Sequence, residues 1–334
     1  MRFVRFGDSG RTGIVIDGPD GSVVVDVLAT VERARVELGS ETSAVVGGLL
    51  KDGSWRELIG AWDAAGRRHI RELADRAERR LRAGDDRIVA RPLVQLRLGP
   101  PLPSRRGRVF ALGANFSDHA SQAFSRMSGH GMTPDAARSE HDRGLPPWGF
   151  QVIPDVMIGH DAPVTAPRGV ERLDYEAEVA VVLATGGRNL TAGEVSFWGL
   201  SAFNDFSIRD GLTEGSGVDR GPLVWALAKN FQTGKSMGPC VAVDAGIDID
   251  DVPFTLAVND EVRQRASTSQ MIYSFTEVAT FLSRYLDLLP GDVITSGTPK
   301  GTALDSDLPY LAAHDDVRVR IAEVGELRNT IAPW

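Results

Sequence analysis

Residues 173–183, LDYEAEVAVVL, limit the possible fold more than any other part of the sequence. β-Branched and apolar residues without Gly or Pro predict a strand, and the apolar run at its end predicts burial on both faces. Side chains alternate along a strand, so Glu176 and Glu178 would share one face with Asp174. Two carboxylates on a partly buried face repel each other and lose hydration, so they need a cation or contact with water. The pair is either a solvated strand end or part of a divalent metal site.

Composition narrows the class of protein. The chain has 334 residues, of which 42% are hydrophobic and 25% are charged, as in a globular protein with two units or one large domain. A net charge of −8 without a long basic stripe argues against a nucleic-acid partner. The single cysteine, Cys240, excludes an internal disulfide and a cysteine-based zinc cluster. No apolar run is long enough to span a membrane and no signal peptide is visible, so we expect a cytoplasmic protein with a small-molecule substrate and no membrane partner.

The first hundred residues predict a small α+β unit. Short strands are expected at 13–16 and 22–27, on either side of a Gly- and Pro-containing turn. Between residues 61 and 83 the apolar residues recur at helical spacing, which predicts an amphipathic helix packed on this hairpin. A Pro-rich connector follows, and we therefore place the domains at 1–103 and 104–334.

The second unit predicts many strands and few helices. Strands are expected at 108–113, 178–183, 199–204, 241–243, 254–258, 292–295 and 316–321. One clear helix is expected after Ser274, which stands three residues before Glu277 in capping-box spacing. This pattern favours a mixed β-roll or barrel over a doubly wound sheet. Residues 125–147, rich in Gly, Ser, Pro and charge, predict a long mobile loop that serves as a lid.

Several polar residues in this unit could carry chemistry. Hard cations such as Mg²⁺ take oxygen ligands, and Asp205, at the end of a predicted strand, could add a third carboxylate to the pair. His119 directly follows another predicted strand and is a candidate general base, although a lone histidine is more often a packing or surface residue. The segment TGKS at 233–236 lacks the glycine that a phosphate-binding loop needs five positions before Gly234.

Seven motifs stand in a recognisable order along the chain: GANFSDHA, LDYEAEVAVVL, FNDFSIRD, LAKNF, VNDEVRQ, MIYSFTEVATFLS and PGDVITSGTPKG. Together they resemble the fumarylacetoacetate hydrolase family over roughly residues 108–331, and the first hundred residues look like the small domain that many members carry. The resemblance implies an α+β fold with a mixed β-sandwich roll or barrel of the fumarylacetoacetate hydrolase type. It also implies a homodimer formed by the C-terminal unit and a substrate that is a 2-oxo or 1,3-dioxo acid.

The resemblance implies a role for individual residues. The family's ligands for Mg²⁺ or Mn²⁺, with Ca²⁺ as a further option, match Glu176, Glu178 and Asp205. Its catalytic histidine and its substrate-orienting cations match His119, Arg209 and Lys229. Thr298 matches a family residue that contacts the substrate's carboxylate, and Gln122 stands at a further position that contacts the substrate. Thr233 matches a threonine that often lies near the metal in the family.

Three positions depart from the family's pattern. This chain has Gln122 where many members have a Glu, Leu212 where a Gln is often found, and Val152 where a Lys is common. The first matters most, because a glutamine can orient an imidazole but cannot stabilise an imidazolium as a carboxylate does. The predicted lid offers three candidates for the missing group: Glu140, His141 and Asp142. We expect this lid to be poorly ordered until it closes over a bound ligand.

The resemblance leaves three functions open. The first is a divalent-metal-dependent hydrolase that cleaves a C–C bond in an acylpyruvate or related dioxo acid. The second is a metal-dependent decarboxylase or tautomerase of a 2-oxo acid, which needs no activated water and is therefore favoured by Gln122. The third is a metal-binding scaffold without catalytic activity, against which His119, Arg209 and Lys229 all argue.

Overall fold

The structure is a computed structural model that describes residues 1–18, 21–34, 39–62, 66–104, 107–128, 133–210, 222–244 and 246–334. Its first hundred residues form strands β1 (Arg2–Phe6), β2 (Arg11–Gly18), β3 (Gly21–Asp26), β4 (Ala90–Pro92) and β5 (Leu98–Gly99). The helices in this part are α1 (Val27–Arg33), α2 (Ser40–Leu49), α3 (Arg56–Gly60) and α4 (Arg67–Arg82). The predicted hairpin and the predicted amphipathic helix are both present.

The remaining strands are β6 (Val109–Leu112), β7 (Gly149–Val152), β8 (Met157–Ile158), β9 (Leu173–Asp174), β10 (Ala177–Leu183), β11 (Phe197–Asp205), β12 (Ser207–Ile208), β13 (Lys235–Val243), β14 (Pro253–Val258), β15 (Glu261–Ser267), β16 (Val293–Thr295), β17 (Asp316–Ile321) and β18 (Gly325–Thr330). The helices are α5 (Ser117–Ser128), α6 (Pro134–Asp142), α7 (Pro222–Lys229) and α8 (Phe275–Ser283). Short 3₁₀ helices span Leu93–Gln95, Pro154–Val156, Ala192–Glu194 and Thr268–Gln270. None of the helices in the described ranges is long and apolar enough to cross a bilayer.

One large sheet dominates the fold. Its strand order is β4-β3-β2-β1-β13-β11-β10-β16-β6-β7, with β5 paired to β1 and β8 paired to β13. Most neighbours are antiparallel, whereas β6 runs parallel to β16 and β8 runs parallel to β13. A four-stranded sheet, β15-β14-β17-β18, and the small pair β12-β9 complete the β structure. The protein is therefore α+β, as the sequence predicts, and it has one large mixed sheet whose core strand β10 is buried along its whole length. The expected β-sandwich roll or barrel stays a prediction.

The first hundred residues continue this sheet. Strand β1 pairs with β13 through Arg2 opposite Ala242 and Phe3 opposite Val241. The Phe3 ring also packs against Trp198 of β11, with ring centroids 5.0 Å apart. Main-chain pairing and a shared aromatic core thus connect the two predicted units, and the boundary between residues 103 and 104 stays a prediction.

The expected loop at 125–147 is wrong over much of its length. Helix α5 continues to Ser128 and α6 spans Pro134–Asp142, while residues 129–132 lie outside the described part. The Thr133 hydroxyl caps α6 by accepting the Ala136 N–H at 3.2 Å, and Pro134 fits the first helical position. These local signals outweigh the polar composition that suggested a loop.

The strand predicted at 173–183 is also interrupted. Tyr175 and Glu176 lie between β9 and β10, because their N–H groups bond to side chains instead of a neighbouring strand. Tyr175 N–H donates to the Asp174 carboxylate at 2.9 Å, and Glu176 N–H donates to the Asn204 side chain at 3.0 Å. The segment therefore forms two strands instead of one, but Glu176 and Glu178 still reach the same place, as the expected alternation predicts.

Candidate metal centre and active site

Three buried carboxylates meet at the end of two neighbouring strands. Glu178 lies in β10, Asp205 ends β11, and the antiparallel register places Ala177 opposite Asn204. Glu176 directly precedes β10, so its side chain reaches the same place. Each of the three acids offers an oxygen, and these oxygens lie within 4.8 Å of one another. The structure thus brings together the three acids that the sequence singles out.

Glu178 is in the least favourable environment of the three. It is fully buried, and neither carboxylate oxygen makes a hydrogen bond of normal geometry with a described residue. Burial and then the charges of Asp205 and Glu176 raise its pKa well above its usual range, and the nearby Thr295 hydroxyl lowers it too little to compensate. A buried carboxylate without a partner needs a proton or a cation.

Two predicted cations neutralise Glu176. Its Oε2 accepts a hydrogen bond from Lys229 Nζ at 2.8 Å, and its Oε1 accepts one from Arg209. Burial raises the pKa of Glu176, but Lys229 and Arg209, and then His119, outweigh it and hold this pKa well below the usual range. Lys229 Nζ also donates to Asp205 Oδ2 at 3.1 Å. Burial opposes the charge on Lys229, yet Asp205 and Glu176 together raise its pKa, so it stays protonated.

A third cation, Lys235, is not among the residues that the sequence indicates. It begins β13, is fully buried, and its Nζ lies 2.5 Å from Asp205 Oδ1. Its Nζ also donates to the main-chain oxygens of Phe206 at 2.9 Å and Gly234 at 3.1 Å. Burial lowers its pKa, against the opposing effect of Asp205. Lys235 stands in the segment that fails as a phosphate-binding loop, and its contact with Asp205 depends on the pairing of β11 with β13.

His119 lies in the first turn of α5 and has a carboxylate partner that the sequence does not indicate. Its Nδ1 is 2.6 Å from Asp305 Oδ2, and both side chains are buried. The charge of a protonated His119 contributes to lowering the pKa of Glu176, which places the two side chains in the same neighbourhood. An imidazole paired with a carboxylate on one nitrogen can exchange a proton through the other nitrogen.

The described side chains of the predicted lid have partners other than His119, and the expectation that closure over a ligand brings one of them there stays a prediction. His141 points to α8, where its Nε2 lies 3.0 Å from Glu277 Oε1. Asp142 is exposed, and its carboxylate lies 3.4 Å from His141 Nδ1. The side chain of Glu140 lies outside the described part of the structure. The long-range partner Asp305 already occupies the position at His119, so a residue from α6 is not needed there.

The residues expected to contact the substrate are held by other protein groups. Thr298 is buried, and its hydroxyl accepts the Gln264 side-chain N–H at 2.9 Å. With its amide oriented so that both of its groups are satisfied, Gln122 accepts from Lys300 Nζ at 3.1 Å. Thr233 instead accepts the Thr165 N–H at 2.8 Å. Leu212 lies outside the described residues, and Val152 is buried at the end of β7.

The donor set fits a hard divalent cation. Three carboxylates converge, and Glu178 is left without a partner in the part of the chain that the structure describes. Oxygen-only sets of this kind suit Mg²⁺, Mn²⁺ or Ca²⁺, and an added cation would remove the repulsion that raises the pKa of Glu178. The exposed-strand-end alternative fails, because all three acids are buried.

Comparison with known proteins identifies the family. The profile of the fumarylacetoacetate (FAA) hydrolase C-terminal domain matches residues 108–332, which is more than half of the chain. The chain therefore belongs to the fumarylacetoacetate hydrolase family, and the resemblance drawn from the seven motifs is confirmed.

Individual relatives show the range of activities in this family. The 4-hydroxyphenylacetate degradation bifunctional isomerase/decarboxylase of Escherichia coli is 30% identical over 234 residues, 70% of this chain and 48% of that protein. The chain thus spans about half the length of that relative. Oxaloacetate tautomerase YisK of Bacillus subtilis is 28% identical over 244 residues, 72% of this chain and 74% of that one. The solved structure of maleylpyruvate hydrolase from Sphingobium sp. SYK-6, with manganese(II) and pyruvate, has a TM-score of 0.65, 21% identity and 99% coverage of both chains, which shows a shared fold.

Proposed function

We propose that this protein is a divalent-metal-dependent enzyme that moves a proton on a 2-oxo acid, as a tautomerase or decarboxylase. The observation that carries the proposal is the buried cluster of Glu176, Glu178 and Asp205, with His119 near enough to Glu176 to influence its charge. These three carboxylates would hold Mg²⁺ or Mn²⁺, which when bound would act as a Lewis acid toward the adjacent oxygens of the substrate.

The protein's own residues divide the remaining tasks. Lys229 and Arg209 balance the charge of Glu176 and orient an anionic substrate beside it. Since Asp305 engages Nδ1 of His119, Nε2 is the atom that exchanges a proton with the substrate. In a tautomerase, Nε2 removes a proton from the carbon next to the 2-oxo group and returns it to another atom of the same molecule. In a decarboxylase, the same imidazole delivers a proton to the carbon that has lost CO₂.

Sequence relatives support this choice. The two proteins described above at 30% and 28% identity carry the names of an isomerase/decarboxylase and a tautomerase. Neither reaction needs a water molecule to be positioned and activated. Both the tautomerase and the decarboxylase reaction require charged groups that hold the substrate and one imidazole that exchanges a proton.

Hydrolysis of a C–C bond in an acylpyruvate is the second candidate, and Asp305 is the observation that favours it. Hydrolysis requires His119 to deprotonate water, and the resulting imidazolium is stabilised by a carboxylate. The 2.6 Å contact with Asp305 provides that carboxylate, so the lack of an acid at Gln122 no longer argues against a hydrolase.

A substrate panel separates the two candidates. The purified chain is incubated with Mg²⁺ or Mn²⁺ and one of three substrates. The first two are the enol form of a 2-oxo diacid and a 2-oxo diacid that tests decarboxylation. The third is an acylpyruvate, which is supplied in H₂¹⁸O. We expect metal-dependent loss of enol absorbance or release of CO₂ without ¹⁸O in the product. Incorporation of ¹⁸O into a carboxylate product would favour the hydrolase, and a lack of turnover in all three assays would contradict an enzymatic function on these acids.

We also propose that the chain forms a homodimer through residues 104–334, on the ground that a strand-rich unit has sheet edges to cover. Strand β15 forms one such edge in the four-stranded sheet. Light scattering at micromolar concentration should give twice the chain mass, and a particle of 36.0 kDa would contradict the dimer.

A further inference from the structure

The residue that stands one helical turn after His119 is unable to serve as its acid. Gln122 carries no charge, and both of its side-chain groups have other partners. With the amide in the orientation that satisfies both groups, its oxygen accepts from Lys300 Nζ at 3.1 Å and its nitrogen donates to the main-chain oxygen of Asp305. Position 122 therefore supports the turn that contains Asp305 and leaves the imidazole to a different group.

The side chain of Asp305 is held in place for that contact. Its Oδ2 lies 2.6 Å from His119 Nδ1, while its Oδ1 accepts the Gly301 N–H at 3.0 Å. Its main-chain N–H donates to the Thr302 hydroxyl at 3.2 Å. With both carboxylate oxygens engaged and the residue buried, Asp305 has a fixed orientation toward the imidazole.

The backbone of this turn is fixed from two further directions. Gly301 has a φ of +109°, and a Cβ atom there would lie 2.1 Å from the main-chain oxygen of Arg263, so other residues do not fit. The buried Asp174 carboxylate accepts the N–H groups of Ala303 at 2.9 Å and Leu304 at 3.1 Å. Asp174 also accepts from Arg209 Nε at 2.9 Å, and this joins the turn to the cation that contacts Glu176.

We infer that Asp305 is the positioning residue of His119, and that the acid of the dyad has moved from helix α5 to the turn at 301–305. Asp305 selects the tautomer with the proton on Nδ1 and stabilises the imidazolium that forms when Nε2 accepts a proton. Through Asp174, the same turn keeps the imidazole in register with the acidic cluster. The inference rests on the proposed function, because it assigns a role in its proton transfer.

Moving the acid back tests the inference. Asp305→Asn should lower kcat by roughly 10²–10⁴-fold while KM changes less than about threefold. Adding Gln122→Glu to this variant should recover at least about tenfold in kcat, because it restores a carboxylate to the helix one turn after His119. The exposed Asp86→Asn variant is the matched control and should retain wild-type kcat. Wild-type kcat in Asp305→Asn would overturn the inference, as would a double variant no faster than Asp305→Asn.

A second readout does not depend on turnover. In ¹⁵N-labelled protein, the His119 Nδ1 proton should appear as a strongly downfield resonance that is lost in Asp305→Asn and kept in Asp86→Asn. An unchanged resonance in Asp305→Asn would refute the contact. If Asp305→Asn does not fold, Asp305→Glu, which retains the charge but displaces it, should lower kcat and shift this resonance, and unchanged values would refute the role. A wild-type protein that shows the resonance but turns over no 2-oxo acid would contradict the proposed function and leave the positioning contact supported.

Discussion

Replacing Glu178 by Gln should stabilise the metal-free protein and remove its response to divalent cations. Glu178 is fully buried and without a hydrogen-bond partner among the described residues, and its pKa is raised by burial and by Asp205 and Glu176. The pKa of Glu178 is higher in the folded protein than in the unfolded chain. Below the pKa of the unfolded chain, Glu178 is protonated in both states and costs no stability. As the pH rises through and beyond that pKa, Glu178 increasingly destabilises the folded protein. An amide of the same shape is neutral and can donate to a neighbouring carboxylate, which should add about 1–3 kcal/mol to the free energy of unfolding at pH 7.

Thermal unfolding with and without Mn²⁺ measures both effects. A concentration of about 100 times Kd should stabilise the wild-type protein by about 2.7 kcal/mol, whereas Glu178→Gln should gain much less. The exposed Glu323→Gln variant is the control and should match the wild type in both conditions. A Glu178→Gln protein that is less stable than the wild type without metal, or that keeps the full Mn²⁺ response, would contradict this role of Glu178.

Two further predictions follow from the contacts around the site. Asp174→Asn should lower the free energy of unfolding in urea by about 3 kcal/mol, because it weakens the buried contacts to Arg209 and to the turn at 303–304. An unchanged urea midpoint would contradict this prediction. Glu277 and also Asp142 raise the pKa of His141 above 6.5, so the contact between α6 and α8 is present at low pH and is lost as the pH rises through the folded pKa. Hydrogen-exchange protection factors across 134–142 should therefore fall as the pH rises above 6.5 in the wild type but not in Glu277→Gln, and equal behaviour of the two would exclude the contact.

The acidic cluster is predictable because its signals are local. Glu176 and Glu178 stand two residues apart at the start of an apolar run, and such a run is buried in β10. Asp205 ends the next long strand, and neighbouring antiparallel strands bring such ends together. A motif that combines burial with charge thus identifies this cluster of carboxylates without knowledge of the remaining chain path.

The partners of these residues depend on contacts between distant segments, and the sequence does not indicate them. His119 and Asp305 are separated by 186 positions, and their contact depends on the turn at 301–305 being tied down by Asp174. Lys235 reaches Asp205 only because β13 lies beside β11. Helix α6 is polar, so a pattern search that weighs apolar periodicity misses it. Local patterns therefore predict which residues are unusual, whereas the tertiary path determines what each one contacts.

Anomalous diffraction from crystals grown with Mn²⁺ tests whether Glu176, Glu178 and Asp205 bind a metal ion, since it locates the ion without reference to activity. We predict one strong peak at the place where β10 begins and β11 ends. Carboxylate oxygens of Glu176, Glu178 and Asp205 should lie roughly 2.0–2.6 Å from it. A strong peak elsewhere, or no peak among these three carboxylates at saturating Mn²⁺, would contradict the account.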